Sequence, residues 1–195
     1  MPRAGLTEES VIDAAAATAD SDGLGAVTLA RLAEKLGVRP PSLYRHVDGL
    51  DAVHRALAVR GIREANIRLQ RATIGKAADD ALFALAHAYW QFARDQPGLY
   101  AASLRAPKSG ENDVAVAGDA LIGTVLSVLA GYRVWGDDGL HATRGLRAII
   151  HGFVSLDAAG GFRMKLDLKE SFDRLLAAFA RDLTERGAVS RPATA

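Results

Sequence analysis

Residues 38–50 read VRPPSLYRHVDGL and gather side chains suited to holding a polyanion: Arg39, Ser42, Tyr44, Arg45 and His46. All five carry hydrogen-bond donors, and a short helix that offers donors at its leading end, ahead of free backbone N–H groups, suits a phosphate-lined groove. Two adjacent prolines, Pro40 and Pro41, open this stretch. Inside a helix a proline removes a donor and clashes with the preceding turn, at a cost of about 3 kcal/mol or more. In the first turn its missing N–H has no intrahelical partner to lose. The prolines therefore start a short helix, about 40–47, fix its entry and present flat apolar surface that could meet a thymine methyl group. The competing reading is a polar helix face that simply meets water.

Helical periodicity dominates the elements that must position this segment. Thr7 caps a first helix with Glu8 and Glu9 in its opening turn and Val11, Ile12, Ala15 and Ala19 along it. Thr28 caps a second helix with Leu29, Leu32, Ala33 and Leu36 on one face, and Gly37 stops it. In the proline-led helix Leu43 and Val47, four apart, are expected to pack on Leu32, Leu36 and Val38. Two short helices joined by a glycine turn, the second bearing polar side chains, describe a helix-turn-helix. A long amphipathic helix runs from about 50 toward 69. Breaks at Pro97-Gly98, Pro107, Gly136 and Gly160-Gly161 then delimit a second part of five helices, the connecting helix included. The expected fold is all-α. A three-helix head over 1–50 is joined by the connecting helix to a helical body over 51–187, with a frayed tail over 188–195.

Charge is local. The net formal charge of the 195 residues is +1. Residues 31–71, however, hold Arg31, Lys35, Arg39, Arg45, Arg55, Arg60, Arg63, Arg68 and Arg71 against only Glu34, Asp48, Asp51 and Glu64. That is a small polyanion-binding patch on a neutral body. There is no cysteine, which excludes disulfides, thiolate metal sites and a cysteine nucleophile. The histidines lack metal-ligand spacing, and no metal or cofactor is expected. His151, Ser155 and Asp157 lie close in sequence but have neither nucleophile elbow nor oxyanion hole, so an enzyme is the weaker alternative. No apolar run approaches bilayer length and no signal peptide is evident, which makes a cytoplasmic protein without a membrane partner the default. Abundant alanine, with arginine well ahead of lysine, suggests a GC-rich bacterial gene.

The stretch TLARLAEKLGVRPPSLYRHVDGLDAVHRAL resembles the DNA-binding head of TetR-family transcriptional regulators, with a match covering about 8–60. The resemblance implies that Ser42 and Arg45 read bases with Arg39, Pro40 and Pro41 at the edge, and that Thr28, Tyr44 and His46 hold phosphates. Arginine pairs bidentately with guanine, while hydroxyl and imidazole groups suit phosphate oxygens. Leu50 stands where many members place a phosphate-gripping lysine. Arg39 stands where many have a capping serine, and adds a possible base or phosphate contact. HAYWQFARDQPGLYAASL resembles the family's ligand domain, and RGLRAIIHGFVSLDAAGGF with LDLKESFDRLL resembles the subgroup named for a Trp-His-Gly motif. Ile150-His151-Gly152 occupies that position, so the tryptophan is absent.

The implied function is a ligand-responsive regulator, most simply a repressor released from a near-palindromic operator by a small, largely apolar effector. The alternative is a DNA-binding dimer without an effector. One short recognition helix covers few base pairs, so specificity calls for a two-fold homodimer with heads about 34–36 Å apart on double-stranded DNA. The expected interface uses Ile149, Phe153 and Leu156 on one late helix and Phe172, Leu176, Phe179 and Leu183 on the next. The competing reading is that these faces close the chain's own core. The expected pocket draws on Phe83, His87, Tyr89, Trp90, Tyr100, Trp135 and His151. Against it, Tyr89 falls on a buried stripe with Leu82, Leu85 and Phe92, and His151, amid Ile149, Ile150 and Phe153, reads first as a satisfied core histidine.

Overall fold

The computed structural model describes residues 6–189, with the side chain of Val189 excepted, and among them there are helices and no strands. Eight α-helices follow in order: α1 (Glu8–Asp22), α2 (Leu29–Leu36), α3 (Gly49–Thr73), α4 (Ala78–Asp95), α5 (Pro97–Ser103), α6 (Asn112–Ala130), α7 (Gly136–Ala158) and α8 (Leu168–Val189). A 3₁₀ helix, Pro40–Arg45, lies between α2 and α3. The chain forms two compact units. The first is built from the chain up to Ala65 and from Asp95–Gly118, the second from Asn66–Arg94 and the chain from Asp119 onward.

In the first unit the helix starts follow the sequence closely. The Thr7 hydroxyl accepts from the Ser10 N–H at 3.1 Å while the Ser10 hydroxyl oxygen accepts from the Thr7 N–H at 3.0 Å, a reciprocal cap for α1. The Thr28 hydroxyl accepts from the Arg31 N–H at 3.2 Å. Gly37, at φ 67°, takes the left-handed conformation that ends α2. Val11, Ala15, Leu32, Leu43, Val53 and Leu57 are completely buried and form the core beneath these caps.

Three expectations meet a different outcome here. The second part has six helices rather than five, α3 to α8, because Pro97 starts the short α5 instead of merely ending α4. The boundary expected at 50/51 lies inside the first unit, which keeps α3 as far as Ala65 and adds residues 95–118. Of the expected tail, Ala188 and Val189 belong to α8, and residues 190–195 lie outside the described residues.

The second unit packs α4, α7 and α8 around Leu82, Leu85, Phe92, Leu146, Ile150, Phe172, Leu176 and Leu183, all nearly or fully buried. At Gly187 a Cβ would stand 1.9 Å from the Tyr132 carbonyl oxygen, so only glycine lets α8 approach that turn. α6, with 19 residues at mean hydropathy 1.7, is long and apolar enough to cross a bilayer by length and composition alone, a property that core helices share. Asp113 and Asp119 break up its apolar run in the sequence.

Candidate nucleic-acid interface

The recognition element is a 3₁₀ helix of six residues, Pro40–Arg45, and not the α-helix to Val47 that the spacing predicts. Neither proline supplies a backbone N–H, so the first available donor is Ser42, which bonds the Arg39 carbonyl at 2.9 Å in an i→i+3 turn. His46 bonds the Leu43 carbonyl at 2.8 Å and Val47 bonds the same oxygen at 3.0 Å, closing the element. With three residues per turn, side chains three apart line up. Pro40, Leu43 and His46 form one row, in which Leu43 is fully buried, His46 is half-buried and Pro40 is exposed. Pro41 lies above Tyr44, and Ser42 above Arg45; of these Tyr44 is 61% exposed, Pro41 and Arg45 are exposed and Ser42 is half-buried.

The basic patch narrows once partners are assigned. Arg31 pairs with Asp22 at 2.8 Å, Arg55 with Asp113 at 2.7 Å and Arg60 with Asp13. Lys35 donates to the Thr18 hydroxyl at 3.2 Å. Among the described residues, neither the Arg39 nor the Arg45 side chain makes a hydrogen bond or ion pair, and both residues are exposed. Arg39 precedes the first proline in extended backbone, φ −82° and ψ 144°, and its side chain caps nothing. Thr28 is exposed, and its hydroxyl, already accepting from Arg31, keeps a proton to donate. Two uncommitted guanidiniums, an exposed phenol and a hydroxyl thus surround one short element anchored by Leu43.

The residues expected to line a pocket are not one group. Tyr100 lies in α5 in the first unit, the rest in the second. Trp135 is 59% exposed at the start of α7, away from the cluster expected of it. Trp90 is buried by Phe153 and Phe172, each at 5.1 Å between ring centroids, and these two lie 4.7 Å from one another. The Trp90 indole N–H donates to Asp157 at 2.8 Å. His87 packs edge-on to Phe172 at 5.5 Å, and its Nε2 meets Asp173 at 2.6 Å. Burial pushes the Asp173 carboxyl up, but hydrogen bonds from Lys169 and His87 outweigh it and hold the group below its ordinary value. Tyr89 stacks on Phe92 at 6.3 Å and is buried; His151 is half-buried on α7. Phe83 is half-buried and lines a groove of about 380 Å³ with Ala177, Ala180 and Arg181.

Among the residues expected at a dimer interface, Phe153, Phe172, Leu176 and Leu183 are buried within their own unit, so for them the competing reading holds: they close the core. Leu156 is 50% exposed, and Ile149 and Phe179 are half-buried. Leu140 and Leu175 are exposed on the same two helices, while sequence reasoning missed the split of each helix into a core face and an outward face. It also missed the partners of α5. Proline at the first turn, the signal used for Pro40, was present at Pro97 too.

A helix-turn-helix with an exposed donor-bearing second helix, followed by a helical body, defines the class of DNA-binding transcriptional regulators. The description "Bacterial regulatory proteins, tetR family" matches residues 11–48, and "Tetracyclin repressor-like, C-terminal domain" matches residues 82–179. The chain is 39% identical over 184 residues to an uncharacterized HTH-type transcriptional regulator, YobS, of Bacillus subtilis, covering 93% of this chain and 95% of that one. It is 35% identical over 156 residues to an uncharacterized HTH-type transcriptional regulator of Mycobacterium tuberculosis, covering 80% and 72%. A solved structure of a protein of unknown function from Rhodococcus sp. RHA1 superposes with a TM-score of 0.79 at 26% identity, covering 94% and 98%. The chain belongs to the tetR family of bacterial regulatory proteins.

Proposed function

We propose that this regulator acts as a homodimer on a near-palindromic operator, most simply as a cytoplasmic repressor, and that a small, largely apolar effector bound in the helical body releases it. The observation that carries the DNA reading is the 3₁₀ helix, whose Leu43 is fully buried while Tyr44 and Arg45 stand exposed beside an unpaired Arg39. Arg39, Ser42 and Arg45 read base edges, Pro40 and Pro41 offer apolar contact, and Thr28, Tyr44 and His46 hold phosphates. The dimer uses the outer faces of α7 and α8, through the exposed Leu140, Leu156 and Leu175 with the half-buried Ile149 and Phe179. The finer assignment within the family is the Trp-His-Gly subgroup, on Ile150-His151-Gly152. The effector reading rests on the aromatic content of α4 and on the groove at Phe83.

Selection of binding sites from random double-stranded DNA, with sedimentation of the free and bound protein, tests this. The expected result is a two-fold symmetric consensus bound by two copies. Failure to enrich any sequence would overturn the operator, and an asymmetric site bound by one copy would overturn the dimer. A compound screen that follows tryptophan fluorescence and DNA release together tests the effector. If every compound that perturbs the fluorescence leaves DNA affinity unchanged, the second reading stands, a DNA-binding dimer with no small-molecule switch.

A further inference from the structure

Three consecutive residues near the end of α1 hold two different parts of the first unit. Thr18 is buried and its hydroxyl accepts the Lys35 ammonium of α2 at 3.2 Å. Ala19 is buried against Gly98 of α5: a Cβ on Gly98 would lie 2.1 Å from the Ala19 carbonyl carbon and 2.5 Å from its Cβ. Asp20 turns its carboxylate to the start of α5, where Oδ1 accepts from the Gly98 N–H at 2.8 Å and the Leu99 N–H at 3.1 Å. Those N–H groups belong to the first turn of α5 and have no partner inside it. The residue in front of α5, Gln96, makes no side-chain cap. The cap comes instead from a carboxylate 78 positions earlier.

The other side of α5 is equally close. A Cβ on Gly61 of α3 would lie 2.4 Å from the Leu99 carbonyl oxygen, so α5 is seated between the backbones of α1 and α3. The chain beyond it is fastened to the same half of α3. Lys108 pairs with Asp51 at 2.6 Å and Asp113 with Arg55 at 2.7 Å. Between these, the buried Glu111 accepts two bonds from Arg105 and one from the Lys108 N–H. Exposed ion pairs of this kind contribute little each. Backbone contact at two glycines and a carboxylate shared by two N–H groups leave much less room to slide.

We propose that residues 97–113 are a working part of the DNA-binding unit and that Asp20 is a positioning residue. By capping α5 it sets the angle of α1, and through Thr18 and Lys35 the placement of α2 and the 3₁₀ helix on DNA. This rests on the DNA reading given above. A shift of α5 by one hydrogen-bond length must either carry α1 along or strip both N–H groups of their acceptor.

The test uses the full chain and the site it selects from random DNA. Asp20→Ala removes the cap, Asp20→Asn keeps an acceptor oxygen at nearly the same place, and Gly98→Ala pushes α5 off α1. At a temperature where circular dichroism shows each variant folded, Asp20→Ala is expected to weaken operator binding about tenfold, in keeping with the cost of a lost helix cap. Asp20→Asn should recover most of the loss. Amide hydrogen exchange in Asp20→Ala should accelerate in α5, α1 and α2 but not in α7 or α8. Gly98→Ala, if it folds, should reproduce the affinity loss, and if it does not, the two Asp20 variants decide. Wild-type affinity in Asp20→Ala, or faster exchange confined to α5 alone, overturns the positioning role while leaving the DNA reading intact. A wild-type chain that selects no DNA site removes the reading itself, and the proposal with it.

Discussion

Arg45 and Tyr44 are neighbours on one turn of the 3₁₀ helix, yet they are expected to fail differently when changed. Arg45→Ala removes an uncommitted guanidinium and should cost about 1–3 kcal/mol on the selected site while relaxing base preference there. Tyr44→Phe removes only a phenolic hydroxyl and should weaken binding evenly across sequences, which anisotropy titrations on matched and mismatched duplexes distinguish. Glu111 supplies a second residue-scale prediction, in pH. The Lys108 backbone N–H, helped by the Arg105 guanidinium and against the cost of burial, holds its carboxyl below the ordinary value. A carboxylate depressed in this way binds fewer protons folded than unfolded, so its contribution is full at neutral pH and is lost as pH falls through the lowered folded value. Melting temperatures of Glu111→Gln and wild type should therefore differ at neutral pH and converge on acidification. Parallel curves would contradict it. The surroundings of Arg45 and Tyr44, on an exposed polar face, were readable from residue type and spacing. Those of Asp20 and Glu111 were not: the partner of Asp20, Gly98, lies 78 positions away, and Glu111 is held by Arg105 and the Lys108 N–H in an irregular turn that no periodicity marks.

Among the elements, the short capped ones were the most legible. Thr7, Thr28 and Gly37 each carry a local instruction about where a helix starts or stops, and each lies at the end it announces. Pro40 and Pro41 announced a start correctly but left the helix type open, since removing two donors favours the tighter i→i+3 pattern that apolar spacing alone does not reveal. The late helices were harder. Periodicity identifies an apolar stripe but not what covers it, and α7 and α8 each carry two: one on the core through Phe153 and Phe172, one outward through Leu156 and Leu175. Phe172 joins three helices, meeting His87 and Trp90 of α4 and Phe153 of α7. Phe172→Ala should accordingly destabilise the fold by about 3–5 kcal/mol, seen as a lower midpoint in urea. An unchanged midpoint would remove Phe172 from the core.

For the whole molecule, the all-helical class and the family were legible from end to end, while the division into units was not. Helix breaks along the chain mark where elements end but not which later segment packs back on an earlier one, and residues 95–118 belong to the first unit. The proposed interface on the outward stripe is tested by Leu156→Glu together with Leu175→Glu, which should leave the melting temperature of the chain nearly unchanged while sedimentation shifts to the single-chain mass and operator binding falls. A double variant that still sediments as wild type would place the contact elsewhere. The bond from Asp20 to Gly98 also has a consequence during synthesis. A chain emerging from the ribosome at about 5–20 residues per second leaves α1 waiting about 4–16 s for the helix it must cap, measured over the 78 residues between them. Through that interval the part of α1 that α5 covers, around Ala19, stays open to whatever chaperone or neighbouring polysome reaches it first. Synonymous codons that slow translation between residues 66 and 94 should therefore lower the yield of correctly folded regulator, although they change no amino acid.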